Sequence, residues 1–506
     1  MALQRIAFRT DANHEIGTGH FMRCLTLADT LKKQDAEICF VARGLPLHLI
    51  QMLQERSFEF CDLPEVQTED TDELQHSHWL KTSQHQDAAQ TLQALGNRKF
   101  DWLVVDHYAL DQRWEMPLRE VANKILVIDD LADRPHDCDV LLDQNFYQNM
   151  DTRYVGKVPD HCHLLLGPSY ALLRHEFIEK RKHVKPRPGD IKNLLVFWGG
   201  VDAQNYTTLA LEAIVSSNLP FDVDVVVGQQ HPNLQEIETL CKTHQFACHV
   251  QTQQMAALMA KADLALGAGG TAVWERCCMG LPSICISTAD NQEQQVDDLD
   301  RKGWVIALPK DRDLVAQMKL AFTKLKEDSS LLSAMSQTVY DLVDGNGSHQ
   351  IARLMFSQAI EIRLANASDS KDIFAWRNHP TIRHHSISEE EIDWVDHEKW
   401  FANRCGHPNH LILIGEVKGQ AVGVVRFDIR DCVAEVSIYR VPDSGHRGIG
   451  HPLLYAAETW LKRNHPEVVA LHAQVLQENE PSKKLFEKSH YVKHMDAAHI
   501  EFVKPL

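Results

Sequence analysis

No stretch of the 506 residues approaches the ~18 consecutive apolar positions that a membrane-spanning helix needs. The opening residues, MALQRIAFRTDANHE, contain no apolar core of a secretory leader, so the expected location is the cytoplasm, with no membrane partner. Positive charge is in deficit: 52 Lys and Arg stand against 70 Asp and Glu, a net charge of −18. Such a chain has no bulk basic face for nucleic acid, so any anionic ligand must be held by local backbone N–H groups and a few Arg or His. The 12 Cys include no C-x-x-C pair and no regular spacing, and they read as reduced thiols. Metal-ligand spacing is missing too. His161-Cys162-His163 comes nearest, but adjacent residues on a strand face opposite ways and no second ligand pair follows. No metal is expected.

What remains is ordinary globular composition, 44% hydrophobic and 24% charged, in a chain long enough for about three domains. Short apolar runs at Ile6–Phe8, Ile38–Ala42, Trp102–Val105 and Ile125–Ile128 alternate with helical stripes such as Phe21, Leu25, Ala28 and Leu31. That is the pattern of a parallel α/β sheet. A basic, proline-containing stretch, Lys180–Lys192, reads as a surface linker. The alternation then restarts at Leu194–Phe197, Val223–Val227, Leu264–Leu266, Ser283–Ile286 and Val305–Leu308. A second boundary is expected near Asp344–Gly347. Beyond Glu361, helices at Ser370–Asn378 and Ser388–Asn403 lead into three strand-like runs, Leu411–Glu416, Ala421–Phe427 and Ala434–Val441, joined by short turns. The expected domains are 1–180 and 190–345, both Rossmann-like α/β, and 361–506, α+β with a mostly antiparallel sheet.

In the first half, Asp11, Gly17, Gly19, His20 and Arg23 lie between the first strand and the first helix. A glycine pair lets backbone approach a ligand, and helix N-terminal amides attract anions. His20 would start that helix, whose positive dipole end favours the neutral imidazole a general base requires. Met22 stands where a dinucleotide fingerprint needs its third glycine, so NAD is not expected. In the second half, Gly199-Gly200-Val-Asp202 and Gly269-Gly270-Thr271 are glycine-rich strand-to-helix turns suited to phosphate. Glu275, one helical turn after Thr271, is placed to accept bonds from ribose hydroxyls.

Together with Asp106-His107-Tyr108, Asp129-Asp130-Leu131 and Asp143-Gln144-Asn145, these motifs resemble the UDP-2,4-diacetamido-2,4,6-trideoxy-β-L-altropyranose hydrolase family of pseudaminic acid biosynthesis, over residues 1–345. The resemblance implies two Rossmann-like domains of glycosyltransferase-B type and water attacking the anomeric carbon to release UDP. It also implies His20 as base and Asn291-Gln292 near the donor sugar.

In the last domain, His446-Arg447-Gly448-Ile449-Gly450 resembles the pyrophosphate loop of the GCN5-related N-acetyltransferases, and Asn479 with Ser482 that family's later cofactor segment. The segment Trp376-Arg377-Asn378-His379-Pro380 with Arg383 resembles the branch that acetylates the 4-amino sugar of the same pathway. Acetyl-CoA is the implied cosubstrate, and the strand Glu435–Val441 should splay from its neighbour to receive the pantetheine. Two positions depart from that family: Gly445 replaces the usual Arg or Gln, and Phe486 replaces a Tyr that protonates the leaving thiolate. Glu435 is a candidate base. The expected function is hydrolysis of the UDP-sugar together with N-acetylation of its 4-amino precursor. The alternatives are a UDP-sugar glycosyltransferase and a hydrolase with a non-catalytic acetyltransferase-like sensor. Oligomeric state is not legible.

Overall fold

The computed structural model describes residues 4–65, 72–386, 388–444, 448–495 and 500–506. These fall into two compact units. One comprises Arg5–Thr30 with Glu37–Gln350; the other comprises the described residues of Ile351–Leu506 with Gln4 and Leu31–Ala36.

The first unit holds two parallel sheets. Strands β1 (Arg5–Thr10), β2 (Glu37–Arg43), β3 (Glu59–Leu63), β4 (Phe100–Asp106), β5 (Ala122–Ile128), β6 (Val140–Asp143) and β7 (His163–Leu166) form one, in the order β3-β2-β1-β4-β5-β6-β7. Strands β8 (Asn193–Phe197), β9 (Asp222–Val227), β10 (Ala247–Val250), β11 (Leu264–Ala268), β12 (Ser283–Ile286) and β13 (Ile306–Ala307) form the other, as β10-β9-β8-β11-β12-β13. Central strands such as β8, whose Leu194, Leu195 and Val196 are all buried, have both faces covered, which is why they read as unbroken apolar runs rather than alternations. The strand order reverses between β1 and β4 in one sheet and between β8 and β11 in the other. Such switch points open a crevice beyond the strands' carboxyl ends, where ligands bind.

The stretch read as a surface linker is not free. Arg187 is buried and donates to the carbonyls of Met259 (2.7 Å), Ala262 (3.0 Å) and Met279, while its backbone N–H bonds Ser336 Oγ at 2.7 Å. A basic, proline-containing string suggests solvent, but here one guanidinium satisfies carbonyls left open where helices end.

The second unit is built on one sheet of β14 (Glu361–Leu364), β15 (His410–Val417), β16 (Gln420–Arg430), β17 (Val433–Arg440), β18 (Ala470–Val475), β19 (Val492–Met495) and β20 (Ile500–Pro505), in the order β14-β15-β16-β17-β18-β20-β19. Every pairing is antiparallel except β17 with β18. That parallel pair joins only Val433–Glu435 to Ala470–His472; afterwards β17 continues on β16 and β18 on β20, so the two diverge. The second helix before the sheet runs Trp394–Arg404 rather than from Ser388, because the Asp393 side chain accepts the Val395 N–H and caps it there. Among the described residues, no helix is long and apolar enough to cross a membrane.

Candidate functional site

Both switch points carry the motifs singled out above. In the first sheet, β1 and β4 pair Thr10 with Asp106. The loop after β1 turns at Gly17 (φ 75°) and enters the helix Gly19–Lys32, in whose first turn His20 lies. His20 Nδ1 is 2.6 Å from Asp106 Oδ1, and Arg23, one turn later, grips the same carboxylate through Nε (2.6 Å) and Nη2 (2.7 Å). Burial alone would raise the Asp106 carboxyl, but Arg23 and His20 outweigh it and hold it well below the usual carboxylate range. An ionised Asp106 fixes Nδ1 as the protonated nitrogen, leaving Nε2 as the basic one.

Arg23 Nη1 also reaches Asp130 (3.2 Å), which accepts from the Tyr108 hydroxyl and from Asn145 Nδ2 (3.2 Å). Asn145 Oδ1 accepts in turn from the indole of Trp274 in the second Rossmann-like fold (2.9 Å). A hydrogen-bonded chain therefore runs from His20 to the residue preceding Glu275. The motifs marked Asp130 and Asn145 in the sequence without a role, and nothing there joined them to Trp274, 129 positions downstream of Asn145.

Asp11 does not join His20. It accepts from Arg9 and from the Arg43 backbone N–H (2.7 Å), and His107 Nε2 is 3.2 Å away. With Arg9 and Arg43 both on Asp87, it forms a buried ion network beneath the site.

At the second switch point, Gly199 (φ 101°) and Gly200 end the strand, and neither has an atom within 4 Å of where a Cβ would stand. Asp202 accepts the N–H groups of Tyr206 (3.0 Å) and Thr207 (2.8 Å), so it caps the following helix. Gly269 and Gly270 pack under Val296 and Gln292, whose Oε1 accepts from Thr288 N at 3.0 Å. Asn291 and Gln292 share the short turn Asp290–Gln292 beside that loop. Thr271 precedes the helix Ala272–Cys278, and Glu275 pairs with Arg174 at 3.2 Å. Sequence reasoning missed Arg174, which lies 101 positions before its partner.

Asp143 is the odd carboxylate. Buried beside Asp130, it accepts from Asn145 N (3.0 Å) and the Tyr154 hydroxyl (3.1 Å), and burial first, then the Asp130 charge, pushes it up to about 8. The fold therefore keeps a proton that the unfolded chain has lost above about pH 4, so the contribution of Asp143 to stability declines as pH rises from there to about 8. Asp143→Asn should flatten that decline: its urea midpoint at pH 8, relative to pH 5, should exceed the parent's. Parallel pH curves for the two proteins would refute a protonated Asp143.

In the second unit, Gly448 has φ 74°, Ile449 is buried, and the helix Gly450–Asn464 starts directly after. Gly445 and Arg447 lie outside the described residues. Asn479 caps the helix Glu480–Lys488 by accepting the Ser482 N–H (3.1 Å) and donates to the His385 carbonyl (3.1 Å). Phe486 is buried against Tyr491 and Phe502, and the Tyr491 hydroxyl is engaged by Glu458 at 2.9 Å. Glu435 is exposed where β17 leaves β18. A cavity of about 330 Å³ opens over β16 and β17, lined among others by Arg377, His397, Trp400, Arg426 and Tyr439. Arg377 Nη1 is buried with no hydrogen-bond partner among the described residues. These liners come from separate helices and strands, and only Arg377 fell inside a motif.

Cys39, Glu59 and Cys61 place possible ligand atoms within 4.8 Å of one another, a cluster the sequence did not suggest; Arg98 donates to Glu59 and Cys61 there.

Two Rossmann-like folds with glycine-rich turns at both switch points define a glycosyltransferase-B-type architecture, followed by a mixed-sheet acetyltransferase fold. Residues 193–347 match the model of the glycosyltransferase family 28 C-terminal domain, and residues 371–491 that of the acetyltransferase (GNAT) family. The UDP-2,4-diacetamido-2,4,6-trideoxy-beta-L-altropyranose hydrolase of Campylobacter jejuni is 27% identical over 306 residues, 60% of this chain and 98% of that protein. Acetyltransferase PseH of the same organism is 29% identical over 132 residues, 25% of this chain and 78% of PseH. An uncharacterized protein of Methanocaldococcus jannaschii is 23% identical over 511 residues, covering 96% of each chain. The chain is thus a fused protein, hydrolase-like in its first part and PseH-like in its last.

Proposed function

We propose that this chain is a bifunctional enzyme of nucleotide-sugar metabolism: it N-acetylates a 4-amino UDP-sugar with acetyl-CoA and hydrolyses the resulting UDP-2,4-diacetamido-2,4,6-trideoxy-β-L-altropyranose to free sugar and UDP. The observation that carries the reading is the Asp106–His20 pair, locked by Arg23 at one switch point, in the same unit as glycine-rich turns at the other.

Water attacks the anomeric carbon and His20 Nε2 takes its proton, while Asp106 holds Nδ1–H and steadies the imidazolium that forms. The bond from the anomeric carbon to the diphosphate oxygen breaks, and its electron pair leaves with UDP. Amides of Gly199, Gly200, Gly270 and Thr271 spread that charge, and Glu275, held by Arg174, takes the ribose hydroxyls. Asn291 and Gln292 contact the sugar.

For the acetyl step, the diverging β17 offers backbone groups that β18 no longer pairs, and the Gly448–Gly450 turn, with Gly448 at φ 74° and a helix starting at Gly450, presents N-terminal amides to a pyrophosphate. The thioester supplies the acetyl group. The cavity beside Arg377 and Arg426 accommodates an anionic acceptor, and exposed Glu435 is the candidate base. With Phe486 in the core, the thiolate leaves without a tyrosine donor, which a thiol pKa near ~8.5 tolerates.

The test is to incubate the full chain with the 4-amino UDP-sugar and acetyl-CoA, with no sugar acceptor, and follow products by mass spectrometry. Acetylated UDP-sugar, then free diacetamido sugar and UDP, are expected. UDP appearing only when an acceptor is added would make it a glycosyltransferase; hydrolysis of pre-acetylated substrate without acetyl transfer would leave only the hydrolase.

A further inference from the structure

Beside His20 stands an aromatic wall that the chemistry above does not use. The segment after residue 71 brings His76 and Trp79 over Tyr108. Trp79 stacks on Tyr108 with centroids 5.5 Å apart and planes 21° from parallel; His76 lies 4.5 Å from Trp79 and 5.3 Å from Tyr108. The His20 ring is edge-on to both larger rings, 4.5 Å from Tyr108 and 6.0 Å from Trp79.

The wall is held in place. Asp72 accepts from Gln84 Nε2 (2.8 Å) and Arg113 Nη2 (3.0 Å), and its carbonyl takes the Ser77 hydroxyl (3.1 Å). His78 Nε2 meets Glu15 Oε1 at 2.9 Å, tying the segment to the loop that delivers His20, and Leu80 is buried beneath. Yet His76 and Trp79 remain half-buried rather than sealed in a core. Burial, the main influence on His76, lowers its pKa and keeps the ring neutral. Partly open aromatic rings beside His20 suit a ligand with an apolar face.

We infer that His76, Trp79 and Tyr108 form the sugar subsite of the hydrolase half, with Trp79 selecting a deoxygenated, N-acylated hexose over a fully hydroxylated one. The inference rests on the hydrolase reading for the identity of its ligand. A sugar whose anomeric carbon lies at His20 must rest a face or a substituent against these rings. Methyl groups, including those of acetamido substituents, gain from contact with the Trp79 face, whereas hydroxyls turned to that face lose water without a polar partner in exchange.

The experiment is calorimetry in the His20→Ala background, where turnover is slowed, comparing UDP, UDP-2,4-diacetamido-2,4,6-trideoxyhexose and UDP-glucose. The diacetamido compound should bind more tightly than UDP. Adding Trp79→Ala should shrink that margin about ten-fold, and Trp79→Phe should restore part of it. UDP affinity should stay unchanged, which also reports an intact fold. The margin for UDP-glucose should be small and insensitive to Trp79. A diacetamido margin that is absent at the outset, or that survives Trp79→Ala, overturns the inference. If protein with His20 intact releases no UDP while the Trp79-dependent margin persists, the hydrolase reading falls and the sugar subsite stands.

Discussion

His20→Ala should reduce UDP release from the diacetamido UDP-sugar by ~10²–10⁴-fold, the usual contribution of a general base, while UDP affinity changes less than two-fold. The two effects separate because His20 lies at the β1/β4 switch point and the turns proposed to hold UDP lie at the β8/β11 switch point. Asp106→Asn tests the same assignment from behind. A neutral amide in place of the ionised carboxylate no longer fixes the Nδ1–H tautomer, so kcat should fall with little change in KM. Single-turnover rates and calorimetry measure both. A His20→Ala rate within a few-fold of the parent would remove His20 as the base and leave water activation to another group.

Gly228→Ala should impair the protein by a different route. Gly228 follows β9, and a Cβ there would collide with the Gly200 carbonyl oxygen, with the Gly200 carbonyl carbon and Cα at 2.8 and 2.9 Å. The obstacle is backbone and cannot rotate away, so the Gly199-Gly200 turn itself must shift. We expect UDP affinity to drop at least ten-fold and stability to fall by about 1–3 kcal/mol. Gly200→Ala is the contrasting variant: its Cβ would stand in open space, so stability should hold while UDP affinity falls. Urea midpoints and UDP titrations of the two variants separate the cases. Gly228→Ala with unchanged UDP affinity would show that the turn does not hold the nucleotide.

The elements at both switch points were legible because each motif is local: a strand, a glycine turn and a helix start fall within about fifteen residues, as the motif patterns require. The apolar runs of β1, β2, β4 and β5 announced themselves for the same reason, since strands buried on both faces leave unbroken hydrophobic stretches. The short strands β3, β6, β7 and β10 did not, because four or five residues, such as ACHV of β10, carry little pattern. Ser388 followed by Glu389-Glu390-Glu391 imitates a helix cap with an acidic first turn, yet Asp393 wins because its carboxylate reaches the Val395 N–H. Long-range partners were beyond reach. Asn145 with Trp274 and Arg174 with Glu275 meet only because the two Rossmann-like folds are packed together. The wall of His76 and Trp79 escaped notice for a related reason, since its segment carries no periodicity and gains meaning only from Tyr108 and His20.

The burial of Arg187 has a consequence for how the chain is made. Its cation is stabilised by peptide dipoles that lie 72 to 92 residues further along the chain, at Met259, Ala262 and Met279. A ribosome delivers the first Rossmann-like fold and Arg187 well before those carbonyls emerge. Until Met279 has been synthesised, the guanidinium lacks part of the carbonyl set that holds it in the folded chain. Ser336, which takes the Arg187 backbone N–H, is made later still, so the strap has all its partners only once the chain has passed residue 336.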